Sequence, residues 1–171
     1  MGPTNSGKTY EAMQELILSD TGYYLAPLRL LALEGYEKLI ENNINASLVT
    51  GEEQNIDPNS VHISSTIEMC NFDYEVDLCV IDEIQMLGDK ERGWAWINAI
   101  IGVPAKKIIM TGSLNALGAI KQLARWLNEP LEIIEHKRKI PLELLETSSS
   151  IKTLEPQTAI IAFSRKKVLE L

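Results

Sequence analysis

Apolar residues begin a helical rhythm at Ala12, Met13, Leu16 and Ile17, which predicts a helix from Thr9 to about Leu18 with one buried face. The run Tyr23 to Ala26 is short, aromatic and uninterrupted, as a strand covered on both sides would be. Pro27 breaks it. Three- and four-residue spacing resumes from Leu28 to about Glu41 and stops at the Asn42-Asn43 turn, giving a second amphipathic helix. Ser47 to Val49 is a short strand, Thr50 to Ser60 is a polar segment with turn chemistry at Asp57-Pro58-Asn59, and Val61 to Ser64 is another strand. Thr66 opens a short helix.

Further along, Asp77 to Ile81 reads as a buried strand, Gly93 to Ile101 as a helix and Lys107 to Met110 as a strand. Asn115 to about Leu127 is a helix turning Leu117, Ile120, Leu123, Ala124 and Leu127 inward, and Leu131 to Ile134 is a further strand. Strands alternating with helices of crossover length imply an α/β fold with a parallel sheet covered by helices on both faces. In such a sheet, ligand-binding loops lie at the carboxyl ends of the strands. Pro27, Thr50-Gly51, Ser65-Thr66, Asp82 and Thr111-Gly112-Ser113 all fall at those ends, together with the glycine-rich opening segment.

The character changes after Glu135. His136 to Lys139 is a basic run and Thr147 to Ser150 is serine-rich, while Thr158 to Phe163 reads as a new strand followed by Ser164-Arg165-Lys166-Lys167. The expected division is a first α/β unit over 1–138, a linker over 139–157 and the beginning of a second α/β unit over 158–171. The basic run has two readings, a solvated linker or a polynucleotide contact.

Composition narrows the class. With 171 residues, 45% of them apolar, the chain has enough core for one α/β unit and too little for two complete ones. Its 16 basic and 24 acidic residues leave a formal charge of −8, which argues against broad adhesion to nucleic acid through a basic face. A narrow track of backbone amides, hydroxyls and a few arginines remains compatible with that charge. Cys70 and Cys79 lack Cys-x-x-Cys spacing, so the plain reading is two core thiols in a reducing, intracellular environment without a zinc site. No apolar run approaches the roughly 18 residues of a membrane span.

The chemistry is concentrated in two motifs. Gly2-Pro3-Thr4-Asn5-Ser6-Gly7-Lys8-Thr9 is a complete Gly-x-x-x-x-Gly-Lys-Ser/Thr phosphate loop. Its glycines let successive amides point at a polyphosphate, and the following helix adds its positive end. Lys8 then reaches the β and γ phosphates, and Thr9 offers a hydroxyl to Mg²⁺. Asp82, after the apolar strand, is placed to hold that ion from the other side, and Glu83 to orient or deprotonate an attacking water. A nucleoside triphosphatase site results. A phosphate loop is ordinarily preceded by a strand, and only Met1 precedes this one; the expectation is that the first strand is trimmed from this sequence.

Six ordered segments then resemble one family. They are the phosphate loop, Ala26-Pro-Leu-Arg-Leu-Leu-Ala32, Val49-Thr-Gly-Glu-Glu53, Ser65-Thr-Ile-Glu-Met69, Val80-Ile-Asp-Glu-Ile-Gln-Met86 and Arg92-Gly-Trp-Ala-Trp96. The chain is similar to superfamily 2 DExH-type RNA helicases, in the branch of the mitochondrial RNA degradosome helicase and its bacterial relatives. The resemblance implies a RecA-like P-loop NTPase domain using ATP and Mg²⁺. Lys8, Asp82, Glu83 and Gln85 would serve catalysis, Gln85 by sensing the γ-phosphate or a partner domain. Pro27, Arg29, Thr50, Gly51 and Thr66 would line a track for single-stranded RNA held without regard to sequence, and Thr111 and Ser113 would couple hydrolysis to strand movement.

The resemblance also implies a second RecA-like domain as partner, an exoribonuclease as a possible further one, and a location in the bacterial cytoplasm or the mitochondrial matrix. Arginines of the second domain complete such sites, and an arginine finger contributes about 10³ to 10⁵ in rate. Little turnover and no unwinding are therefore expected of this chain alone. Several residues keep plainer alternatives: Arg29 as an exposed helix residue, Glu52 and Glu68 as caps. Trp94 and Trp96 lie two apart on a helix, so at most one faces the core and the other is left for a domain contact or plain exposure.

Two other classes compete. A thymidine-kinase-like deoxynucleoside kinase shares a Gly-Pro-x-x-Ser-Gly-Lys loop and an Asp-Glu-x-Gln strand end. It also requires a zinc-stapled lasso that two unsuitably spaced cysteines cannot form, and it leaves Thr50-Gly51 and Thr111-Gly112-Ser113 without a role. A non-catalytic nucleotide-gated module would be expected to lack some of Lys8, Thr9, Asp82 and Glu83, yet all four are present.

Overall fold

The computed structural model describes residues 1–138, 140, 143, 144, 148 and 150–170. It divides into two compact units, Met1–Lys139 and Ile140–Leu171. In the first unit the elements are α1 (Lys8–Leu18), β1 (Gly22–Ala26), α2 (Arg29–Glu41), β2 (Ala46–Val49), β3 (Gln54–Asn55), β4 (His62–Thr66), β5 (Val76–Ile81), α3 (Gly93–Gly102), β6 (Ala105–Met110) and α4 (Leu117–Leu127). Short 3₁₀ turns cover Ile67–Met69, Ile84–Gly88 and Leu114–Ala116.

Six strands make one sheet in the order β3-β2-β4-β1-β5-β6. All neighbours are parallel except β2 and β3. β1 is central, with Gly22 opposite His62 on one side and Leu78 on the other. All five of its residues are buried, as its uninterrupted apolar run requires.

Alternation along the strands separates two core layers. Tyr23, Leu25, Cys79 and Ile81 face α3 and α4 and pack with Trp96, Ala99 and Ile120. Tyr24, Ala26, Leu78 and Val80 face α1 and α2 and pack with Met13, Leu16, Ala32 and Leu39. Gly35 on α2 is required by this packing, because a Cβ there would lie 2.3 Å from the Tyr24 ring.

Three expectations change. β3 pairs antiparallel at the sheet edge within the segment expected to be irregular. Leu131 to Ile134 does not form a ladder strand; the segment meets the chain start instead, where the Met1 amino group donates to the Ile134 carbonyl at 2.8 Å and the His136 amide donates to the Met1 carbonyl at 2.8 Å. A strand assignment needs a run of such pairs, and Met1 supplies one residue. Leu127, expected inward, is 37% exposed, since α4 turns mainly Ile120 into the core.

In the second unit a 3₁₀ turn spans Ile151–Thr153, and α5 (Arg165–Leu169) starts at Ser164, whose hydroxyl accepts the Lys167 amide at 3.3 Å. Thr158 to Phe163 is not a strand, because it finds no ladder partner among the described residues. Lys139, Thr147 and Ser149, part of the expected basic run and serine-rich stretch, lie outside the described residues.

Candidate nucleotide site and polynucleotide track

The phosphate loop enters α1 through two left-handed residues, Asn5 (φ 58°) and Gly7 (φ 86°). Gly7 is the residue type that adopts this geometry without a Cβ penalty. The amides of Ser6, Gly7 and Lys8 donate to no backbone carbonyl of the described residues, so a row of donors stands at the positive end of α1. Ser6 is buried and its hydroxyl has no hydrogen-bond partner among the described residues. Lys8 is buried too, its ammonium 3.4 Å from the Pro3 carbonyl of its own loop. Gly2 closes the loop onto the sheet by donating to the Gly112 carbonyl at 2.9 Å.

Asp82 is the point on which the site converges. It emerges from β5 3% exposed, where an unpaired carboxylate would be costly. Its Oδ1 accepts the Thr9 hydroxyl at 3.3 Å, the Glu83 amide at 2.8 Å and the Thr111 hydroxyl. Its Oδ2 accepts the Tyr24 hydroxyl at 3.0 Å, and its backbone carbonyl accepts the Trp96 indole N–H at 3.0 Å. Burial, and then the neighbouring Asp82 carboxylate, push the Tyr24 phenol well above its ordinary pKa, so it remains a donor.

Glu83 sits in the left-handed region at φ 51°, ψ 50°, an arrangement that costs about 1–3 kcal/mol and persists where neighbours enforce it. The enforcing contacts are present. Its backbone amide is held by Asp82, its carboxylate accepts the side-chain Nε2–H of Gln85, and its carbonyl accepts the Met86 backbone amide at 2.9 Å. Gln85 in turn accepts the Ser113 amide at 2.9 Å, and Ile84 donates to the Thr111 carbonyl at 2.8 Å. Gly112 has to be glycine for this closeness, since a Cβ there would lie 2.5 Å from Gln85 Oε1. Thr9, Asp82, Glu83, Gln85, Thr111 and Ser113 thus form a loop-to-strand assembly linked mostly through Asp82 and Gln85, while the Lys8 ammonium hydrogen-bonds only to its own loop among the described residues.

The residues expected along a polynucleotide track are dispersed over the ends of β1, β2 and β4. Pro27 is buried, whereas Arg29 is half-exposed and ion-paired with Glu52. Thr50 is buried, with its hydroxyl both donating to the Glu53 carbonyl and accepting the Glu53 amide at 2.9 Å. That bonding shapes the turn presenting the exposed Gly51. Thr66 is partly exposed and leads into the Ile67–Met69 turn. Glu52 and Glu68, with caps as their alternative, are ion-paired to arginines.

Tyr24 was not singled out from the sequence. Its signal is a polar tip inside a fully buried strand, which needs a partner. Arg92 appeared only within a motif; its Nε donates to Glu68 Oε1 at 2.7 Å and its Nη2 to the Pro27 carbonyl at 2.6 Å. Of the two tryptophans, Trp96 is wholly buried and Trp94 is 55% exposed.

Residues 1–136 match the family model described as the DEXQ-box helicase domain of Suv3, whose name spells the Asp82-Glu83-Ile84-Gln85 sequence. The chain is 42% identical over its full length to the mitochondrial ATP-dependent RNA helicase SUV3 of Saccharomyces cerevisiae, covering 24% of that protein. It is 38% identical over 98% of its length to the human mitochondrial ATP-dependent RNA helicase SUPV3L1, covering 22% of it. The chain therefore spans about a quarter of the length of these relatives. Among solved structures, the C-terminal domain of Saccharomyces cerevisiae Dbp5 bound to Gle1 and IP6 shares the fold, at a TM-score of 0.52 and 13% identity over 82% of this chain and 89% of that one. The family match over residues 1–136 and the identity over the whole chain show that the chain belongs to the family of the DEXQ-box helicase domain of Suv3.

Proposed function

We propose that the chain is the nucleotide-binding motor unit of an ATP-dependent RNA helicase, with hydrolysis coupled to a grip on single-stranded RNA. One observation carries the reading: Asp82 is reached at once by the Thr9 hydroxyl of the phosphate loop and the Thr111 hydroxyl beyond β6. Cation-binding oxygens and the segment expected to move with the strand are thereby joined at one carboxylate.

The residues fit ATP and Mg²⁺. Two hard oxygen donors, Thr9 Oγ1 and Asp82 Oδ1, lie 3.3 Å apart, and Mg²⁺ is commonly held by one or two such groups plus phosphates. The Ser6 hydroxyl, which has no partner among the described residues, and the loop amides suit phosphate oxygens. Mg²⁺, when bound, supplies positive charge against the phosphate oxygens. Lys8 would add a second positive charge, Glu83 would take the proton of the attacking water, and Gln85 would hold Glu83 in register with Ser113.

For the track, backbone amides at the ends of β1, β2 and β4, with Arg29, would hold RNA phosphates without reading bases. The proposed partners are a second RecA-like domain and an exoribonuclease. The proposed location is the mitochondrial matrix for a eukaryotic source, in line with the names of the relatives, and the cytoplasm for a bacterial one. A deoxynucleoside kinase has no support: the matched family is a helicase family and both cysteines are free.

Equilibrium titration of a fluorescent ATP analogue with Mg²⁺, with and without single-stranded RNA, tests the reading. Binding should be abolished in Lys8→Ala and tightened by RNA in the wild type. Binding that ignores RNA would overturn the coupled-motor proposal.

A further inference from the structure

One side chain, Arg92, touches segments on both the candidate track and the candidate nucleotide site. Arg92 precedes α3 and is held in place by Asp89, whose Oδ1 accepts the Glu91 amide at 2.9 Å and the Arg92 amide at 2.8 Å. From there its guanidinium makes three different contacts. Nη2 donates to the Pro27 carbonyl after β1, Nε donates to the Glu68 carboxylate after β4, and the ring of Trp96 lies 5.6 Å beneath the charge. Trp96, wholly buried, donates its indole N–H to the Asp82 carbonyl.

We propose that Arg92 is a positioning residue that couples the polynucleotide track to the cation-binding carboxylate. The inference rests on the helicase reading above, which assigns Pro27 and Thr66 to RNA and Asp82 to the metal. A shift of the Pro27 or Glu68 segment on RNA contact has to be taken up by the planar guanidinium. Its charge sits over the Trp96 ring, and Trp96 is wholly buried in a close-packed core and tied to the Asp82 carbonyl, so a displacement of the guanidinium is passed toward Asp82. The geometry also explains the residue type: only arginine offers separate coplanar donors to a carbonyl and a carboxylate while presenting a flat cationic face to an indole. A lysine ammonium could keep the charge against Glu68 but not all three contacts.

The test uses the 171-residue chain as wild type, Arg92→Gln, Arg92→Lys and Glu68→Gln. Affinity for a fluorescent ATP analogue with Mg²⁺ is measured with and without a single-stranded RNA oligonucleotide, and RNA affinity with and without nucleotide. Reciprocity requires the two ratios to agree, and couplings of this kind are typically about 5- to 150-fold. In Arg92→Gln, nucleotide affinity without RNA should stay within about twofold of wild type while the RNA-induced gain falls to less than about a third. Arg92→Lys and Glu68→Gln, which preserve more of the fold, should each lower the ratio in both directions.

An unchanged ratio in all three variants overturns the proposal. Equal loss of nucleotide affinity with and without RNA, together with a lowered Tm, also overturns it, because that pattern belongs to a purely structural pin. A wild type without any RNA effect instead removes the helicase reading itself, and so separates the two failures.

Discussion

The nucleotide end of the first unit is tightly interlocked, whereas Arg29, the charged side chain assigned to the polynucleotide track, is loosely held. Asp82 is 3% exposed and is reached by donors from α1, β1, α3 and the segment after β6. Arg29, by contrast, is half-exposed and its side chain holds one ion pair with the still more exposed Glu52. A buried acceptor has to be satisfied by the protein, while an exposed cation can exchange its partner at little cost. The difference teaches that the geometry around Asp82 is prebuilt, and that the Arg29 side chain is available for exchange.

The largest test of that contrast uses the tryptophan pair. Trp96→Ala should cost about 3–5 kcal/mol in urea unfolding, because it removes a fully buried ring and leaves the Asp82 carbonyl without its donor. Trp94→Ala, at an exposed position, should stay within about 0.5 kcal/mol. Equal losses would mean that the two faces of α3 are not as different as their burial implies.

A glycine pair sharpens the comparison. Gly112→Ala places a methyl carbon 2.5 Å from Gln85 Oε1 and 2.7 Å from Ile84 Cγ2, and overpacking of this kind costs about 1–3 kcal/mol. Gly51→Ala meets nothing within 4 Å among the described residues and should change the unfolding free energy by less than about 0.5 kcal/mol. The unfolding midpoints of the two variants, measured side by side, check this; a Gly51 variant as damaged as the Gly112 one would contradict it.

The smallest effect concerns the track. Glu52→Gln frees Arg29 from its ion pair, with a stability change of less than about 1 kcal/mol. RNA affinity at low salt should rise a few-fold and the gain should fade as salt is added. Unaltered RNA affinity at low salt would remove Arg29 from the track.

Much of the fold was legible from the chain. The apolar rhythm of α1 and α2 and the unbroken runs of β1 and β5 report burial directly, since a helix face or strand face must be covered. Leu131 to Ile134 and Thr158 to Phe163 were misread as strands for one reason. Apolar, β-favouring residues state a preference, but a strand exists only where a neighbour supplies its ladder bonds. β3 escaped notice because Gln54 and Asn55 are polar, two residues long and paired only along an edge.

By itself the sequence determined the phosphate loop, the carboxylates that follow β5 and the rank of loops at one edge of a parallel sheet. Those are local or periodic properties, carried by residue type and spacing. Only the tertiary structure decided that Tyr24, Thr111 and Trp96 share Asp82 with Thr9, and that Arg92 reaches Pro27, Glu68 and Trp96 together. Hydrogen bonds form between donors and acceptors brought within about 3 Å, and strand order and register, which no periodicity states, set which distant residues come that close.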